Sequence, residues 1–160
     1  MRAGFKTRSA GETVRAGELL ARLLAPGDVV ALSGDLGAGK THLVQGVAHG
    51  LGVAEPVTSP TFNLLVVHPG RVPLHHFDLY RLERAEELDD IAFAETLESG
   101  GVSLIEWGDK FPGELPADHV EVVIRVGEGD ERVFEVRGTG VRSASVAEAW
   151  LEACEQEGLR

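Results

Sequence analysis

The strongest chemical signal in the sequence is an eight-residue run, Gly34, Asp35, Leu36, Gly37, Ala38, Gly39, Lys40 and Thr41. It fits G-x-x-x-x-G-K-[ST], the pattern of a phosphate-binding loop. Glycines there let successive backbone N–H groups turn toward phosphate oxygens, and the positive end of the following helix points to the same place. In that arrangement Lys40 reaches the β- and γ-phosphates, and the Thr41 hydroxyl holds Mg²⁺. In a chain with 20 Gly the bare pattern arises by chance roughly four times in a thousand sequences of this composition. The apolar run before it and the helical pattern after it supply the context a chance match lacks. The expected ligand is a nucleoside triphosphate with Mg²⁺.

Such a site also needs a carboxylate at the end of a neighbouring strand, holding the metal directly or through water. Two acids qualify. Glu106 follows the apolar run Val102 to Ile105, which reads as a Walker B strand with Glu in place of Asp. Asp78 closes a run containing Leu74 and Phe77. An isolated acid at a strand end is usually only a solvated charge, but open α/β sheets bind ligands at the carboxyl ends of their strands. One acid could ligate metal while the other orients the attacking water. His75-His76 is a tempting metal pair, yet adjacent strand residues point to opposite faces. At least one is expected at the surface or as core filler, and zinc is not expected. Asp109-Lys110 reads as a surface pair. Trp107 could line the nucleotide site or simply pack, and the sequence leaves both open.

The elements that must position these residues follow from pattern. Ser9 and Glu12 form a capping-box signal, and Ala10, Val14, Gly17, Ala21 and Leu24 then repeat as one face of a helix ended by Pro26-Gly27. Val29 to Ser33 reads as a buried strand, and 41–51 as a helix closed by Gly52. Pro60 biases Ser59 away from helix, so 58–61 is a loop. Phe62 to His68 and Arg71 to Phe77 suggest a hairpin around Pro69-Gly70. The charged stretch 83–99 reads as one or two short helices. His119 to Val126 and Arg132 to Gly138 suggest a second hairpin. A last helix is expected from about Ser145, with Val146, Ala149, Trp150 and Ala153 inward. Alternation of strand and helix in the first half gives an α/β class, a mixed, mainly parallel sheet flanked by helices in one domain spanning 1–160.

Composition narrows the function classes. With 26 acidic against 15 basic residues the formal charge is −11, which argues against a broad nucleic-acid face built from clustered Lys and Arg. A single cysteine, Cys154, cannot form an internal disulfide and fits a reducing compartment. Residues 1–9 contain no apolar segment of a secretory signal, and no apolar run approaches the ~18 residues of a membrane span. A cytoplasmic protein without a membrane role is expected.

Taken together, the motifs resemble the TsaE (YjeE) family, small bacterial ATPases of tRNA threonylcarbamoyladenosine synthesis. The matching segments are GDLGAGKT at 34–41, SPT at 59–61, HFDLYRL at 76–82 and EW at 106–107. The first alone is generic, whereas all four in this order and spacing are highly specific. The resemblance extends from the capping box to about Arg137. It implies a P-loop fold and ATP hydrolysis coupled to a complex of TsaD and TsaB, which modifies adenosine 37 of tRNA. It further implies Thr41 and Glu106 as Mg²⁺ ligands, Asp78 with Lys40 as catalytic residues, and Asp35 to His42 along the phosphates. Ser59, Pro60 and Thr61 are similar to a switch-like loop sensing the γ-phosphate, and the region of Ser9 and Ala10 lies where the family holds the base. His42 departs from the family, which commonly has a second Thr there.

The leading expectation is a slow ATPase completed by its partners, since the only glutamines are Gln45 and Gln156 and neither is placed to orient water. No arginine is obviously presented to the γ-phosphate, although Arg81 is a candidate. A P-loop small-molecule kinase is the alternative, weakened by the sparse arginines Arg71, Arg81 and Arg84 available for a lid. A nucleotide-dependent binding module with negligible hydrolysis is a third. For the role in tRNA modification, tRNA is expected to be held through partners rather than by this acidic chain.

Overall fold

The computed structural model describes residues 3–35, 37–58 and 64–160. Seven strands form one sheet in the order β1-β7-β6-β2-β5-β4-β3. These are β1 (Ala3–Thr7), β2 (Val29–Gly34), β3 (Leu65–His68), β4 (Leu74–Asp78), β5 (Val102–Glu106), β6 (Val120–Val126) and β7 (Arg132–Gly138). The four central strands β6, β2, β5 and β4 run parallel, and antiparallel strands extend the sheet at both sides. The helices are α1 (Ala10–Ala21), α2 (Lys40–Gly50), α3 (Phe93–Leu97) and α4 (Val141–Gln156). The mixed, mainly parallel α/β sheet is as the sequence predicts.

Alternation along the central strands splits the core in two. Val30, Leu32, Leu74, Leu104, Val122 and Ile124 face α1, α2 and α4 in the larger cluster. Val29, Phe77 and Ile105 face the opposite side, where Leu88, Phe93 and Leu97 from the 3-10 segment Ala85–Ile91 and from α3 cover them. Beyond β2 that second face is solvated. Its outward residues on β6 and β7 pair by charge instead, as Arg137 does with Glu121 at 2.7 Å.

Helices α1 and α2 pack backbone to backbone. A Cβ on Gly46 would overlap the Val14 carbonyl oxygen and come within 3.0 Å of Gly17 Cα. Only a pair of glycines permits this approach, and it fixes α2, whose first residue is Lys40, against the rest of the fold.

The sequence reading needs four corrections. Strand β1 was not expected, because Ala-Gly-Phe-Lys-Thr carries one large apolar residue. Its place is decided by Phe5, stacked on Phe134 with centroids 4.5 Å apart and edge-on to Trp150 at 5.1 Å. The buried residues of α1 are Thr13, Ala16, Gly17, Leu19, Leu20 and Ala21, so Gly17 and Ala21 face inward as expected, while Ala10 is exposed and Val14 half-buried. That helix stops at Ala21, so Leu24 packs from the loop beyond it. Helix α4 starts at Val141, where Asp118 Oδ1 accepts from Ser143 N–H, and it buries Ala147 and Cys154 rather than Ala149. The expected switch loop, Ser59, Pro60 and Thr61, and Leu36 of the phosphate loop lie outside the described residues.

Candidate functional site

Strand β2 delivers the chain to the phosphate loop, and α2 carries it away. Gly37 and Gly39 adopt φ of 80° and 103°, left-handed values that a side chain would strain. Gly39 is the N-cap of α2 without any side-chain cap, so the first N–H groups of that helix are left for a ligand. Nothing within 4 Å would meet a Cβ on Gly37, so the outer side of the loop is open.

Lys40 is 5% exposed. Its Nζ donates to the carbonyl of Gly34, lies 3.3 Å from that of Asp35, and sits 4.0 Å above the centroid of the Trp107 ring. Burial pulls its pKa below the ordinary lysine value, opposed by the negative charges of Glu106, Asp78, Asp109 and Asp35.

The acids arrive by register. Asp78 ends β4 and Glu106 ends β5, and the two are directly paired in the parallel ladder. Glu106 is 3% exposed, and its Oε2 accepts from His76 Nε2 at 2.5 Å. Asp78 Oδ1 accepts from the Tyr80 N–H at 3.0 Å. The next residue after Glu106, Trp107, holds φ of 61°, a left-handed conformation that costs a bulky side chain about 1–2 kcal/mol. This kink turns the indole back over Lys40, with Tyr80 packed on it at 5.0 Å. It settles Trp107 as a lining residue of the site.

Around these groups lies a cavity of about 370 Å³ lined by Gly37, Gly39, Lys40, Thr41, His42, Asp78, Tyr80, Glu106, Trp107 and Arg132. A smaller recess of about 80 Å³ adjoins it between Ser9, Ala10, Thr13, Gly39, His42, Asp130 and Arg132. The sequence-expected residues Lys40, Thr41, Asp78 and Glu106 therefore meet at one site, and Ala10 with His42 line its annex. Asp35 contributes its carbonyl to Lys40, and its N–H···O partner Ala38 is buried. A larger hollow of about 540 Å³ between β1 and α4 is lined by Glu148, Glu152, Glu155 and Arg160 among others. It contains neither the phosphate loop nor a helix N-terminus.

Thr41 and Glu106 offer the hard oxygen donors suited to Mg²⁺. Among the described residues no three His, Cys, Asp or Glu side chains cluster to hold a metal by themselves. A cation at this site would therefore complete its shell from phosphate and water, as Mg²⁺ commonly does. His75 and His76 do face opposite sides of the sheet, but both are buried, at 4% and 0% exposure. His75 Nδ1 meets Ser103 Oγ at 3.1 Å, and burial lowers its pKa. His76 is bonded to Glu106 rather than being filler.

Sequence reasoning missed Arg132. It opens β7, and its guanidinium bonds the carbonyls of Gly129 and Glu131 and reaches that of Gly37 at 3.5 Å. A residue 95 positions from the phosphate loop carries no local signal of that proximity. The one available hint is the hairpin turn, which puts Arg132 at the same end of the sheet as the strand ends that bear the site.

The comparisons agree with this geometry. The TsaE family, described as "Threonylcarbamoyl adenosine biosynthesis protein TsaE", matches residues 7–134. The chain is 48% identical over 120 residues to the tRNA threonylcarbamoyladenosine biosynthesis protein TsaE of Treponema pallidum, covering 75% of this chain and 89% of that one. To the Bacillus subtilis protein of the same name it is 37% identical over 145 residues, 90% of each. The crystal structure of Bacillus subtilis YdiB superposes with a TM-score of 0.80 at 31% identity, covering 96% of both chains. On fold, motif order and extent of identity, the chain belongs to the TsaE family.

Proposed function

We propose that this protein is a Mg²⁺-dependent ATPase supporting threonylcarbamoylation of adenosine 37 in tRNA, working with TsaD and TsaB. The observation that carries the reading is the meeting of Lys40, Thr41, Asp78 and Glu106 in one cavity at the N-terminus of α2. The relatives' names supply the pathway.

Lys40 now bonds the Gly34 and Asp35 carbonyls. Exchanging them for β- and γ-phosphate oxygens would replace neutral acceptors with anionic ones, adding ion pairing to the hydrogen bonds. Backbone N–H groups from Gly37 to His42 cradle the phosphates. Thr41 and Glu106 would hold Mg²⁺, which when bound neutralises charge on the transferred phosphoryl group. Asp78, paired beside Glu106, orients the attacking water. The recess by Ala10, Thr13 and His42 takes the base side of the nucleotide, with Arg132 between it and the phosphates.

Arg132 is tied to three carbonyls, so charge stabilisation opposite Lys40 is supplied by the partner complex. An arginine finger is worth ~10³ to 10⁵ in rate, so turnover alone is slow. The net charge of −11 supports a tRNA held by the partners rather than by this chain.

The test is ATP hydrolysis with and without TsaD–TsaB, for wild type and Lys40→Ala. Stimulation of wild type and its loss in Lys40→Ala are expected. Fast turnover indifferent to the partners, or a stimulated rate that survives Lys40→Ala, would overturn the proposal.

A further inference from the structure

One polar seam is left unexplained by the site described above. Glu106 Oε2 accepts from His76 Nε2 at 2.5 Å, with both side chains essentially buried, at 4% and 0% exposure. On the neighbouring strand β3, His68 Nδ1 lies 2.5 Å from Glu55 Oε1, the histidine buried and the glutamate half exposed. His76 lies opposite Val66, and His68 is two residues beyond Val66, so both rings project from one face. Their centroids are 6.3 Å apart at a tilt of 34°.

Each ring has one nitrogen committed to a carboxylate. Among the described residues the other nitrogen, Nδ1 of His76 and Nε2 of His68, is buried and finds no partner. In a neutral imidazole one nitrogen donates and the other accepts. An N–H given to a carboxylate on each ring leaves two buried acceptors on the same face of the sheet, on rings whose centroids are 6.3 Å apart. A water, with two donors, is the small molecule that satisfies both at once.

We propose that Glu106, His76, one buried water, His68 and Glu55 form a continuous hydrogen-bonded seam. It runs from the nucleotide site to the surface and makes His76 the positioning residue of Glu106. Holding Oε2 fixes the orientation in which the Glu106 carboxylate would meet a cation. Groups that orient a metal-binding carboxylate in this way typically change metal affinity by about 10- to 100-fold when removed. The seam also ends on Glu55, in the segment that leads toward Ser59, so the metal carboxylate and that segment share one network.

This inference rests on Glu106 being a metal ligand, and the experiment separates the two. Mn²⁺ affinity of the ADP complex is measured by electron paramagnetic resonance for wild type, Glu106→Gln, His76→Leu, His76→Gln and Glu55→Ala. Metal-free ADP affinity and thermal melting are followed in parallel. His76→Leu should weaken Mn²⁺ by about 10- to 100-fold without changing metal-free ADP affinity. His76→Gln, whose amide nitrogen sits near the position of imidazole Nε2, should restore most of it. Glu55→Ala should show a smaller loss in the same direction. If His76→Leu does not fold, His76→Asn replaces it, since its shorter amide cannot reach Glu106.

Unchanged Mn²⁺ affinity in Glu106→Gln removes the ligand reading itself. A loss in Glu106→Gln but none in His76→Leu overturns the inference alone. Failure of His76→Gln to restore binding reduces His76 to packing, and an unaffected Glu55→Ala ends the seam at His76; either result refutes it.

Discussion

Replacing Gly46 by Ala tests the packing that holds the phosphate-loop helix in place. A methyl group there would overlap the Val14 carbonyl oxygen and stand 2.8 Å from its carbon and 3.0 Å from Gly17 Cα. These obstacles are backbone atoms of α1, so no rotamer change relieves them and the helices must separate. Overpacking of this kind costs about 1–3 kcal/mol. Removing a helical glycine returns up to about 1 kcal/mol, so a net loss of about 1–2 kcal/mol is expected. For a domain of this size that lowers Tm by about 2–8 °C. Gly11→Ala is the control, because its methyl would meet only Ser9 Oγ, at 3.8 Å. It keeps the propensity gain and should stabilise by up to about 1 kcal/mol. Urea denaturation followed by circular dichroism measures both variants on the full chain. Equal stability of the two would refute the close α1–α2 approach. Since α2 begins at Lys40, Gly46→Ala should also bind ADP more weakly than wild type.

Three further outcomes are expected. Arg132→Ala, which removes the guanidinium that braces the Gly37 carbonyl between the two parts of the cavity, should weaken ADP binding by about tenfold, the worth of about one hydrogen bond; calorimetry showing unchanged affinity would dissociate Arg132 from the nucleotide site. Burial lowers the His75 pKa, so the unfolded chain binds this proton more readily than the native one. The associated stability is present above the ordinary imidazole value of about 6.5 and is lost as pH falls from there through the lower folded value; His75→Gln should therefore lose less stability than wild type between about pH 7.5 and pH 5, and identical losses would contradict the assignment. Trp150 Nε1 donates to the Ala16 carbonyl at 2.9 Å within the core. Trp150→Phe should cost about 1–3 kcal/mol through loss of that hydrogen bond and the cavity left by the smaller ring, and a neutral result in chemical denaturation would refute it.

How much of this was legible in the sequence depended on distance along the chain. The phosphate loop was readable because all its groups lie within eight residues and act largely through backbone. Glu106 and Asp78 were readable as strand ends, since an apolar run ending in an acid is a local pattern. The hairpins 65–78 and 120–138 followed from turn residues between alternating runs. The inner stripe of α1 was partly misread because Thr13 is polar, yet it is buried against Thr7, the two hydroxyl oxygens 2.7 Å apart. Strand β1 escaped because its one anchor, Phe5, has meaning only beside Phe134 and Trp150.

The sequence by itself determined a phosphate-binding loop, two acids at strand ends and the family these motifs resemble, because each is written in neighbouring residues. Only the tertiary structure decided that Asp78 and Glu106 are ladder partners, that Trp107 kinks back over Lys40, that Arg132 reaches Gly37, and that His76 holds Glu106. Those facts depend on strand order and register, and parallel pairing joins residues separated by whole helices. No local periodicity encodes which strand lies beside which; the packing of α1 and α2 on one face of the sheet, and of Phe93 with Leu88 on the other, does.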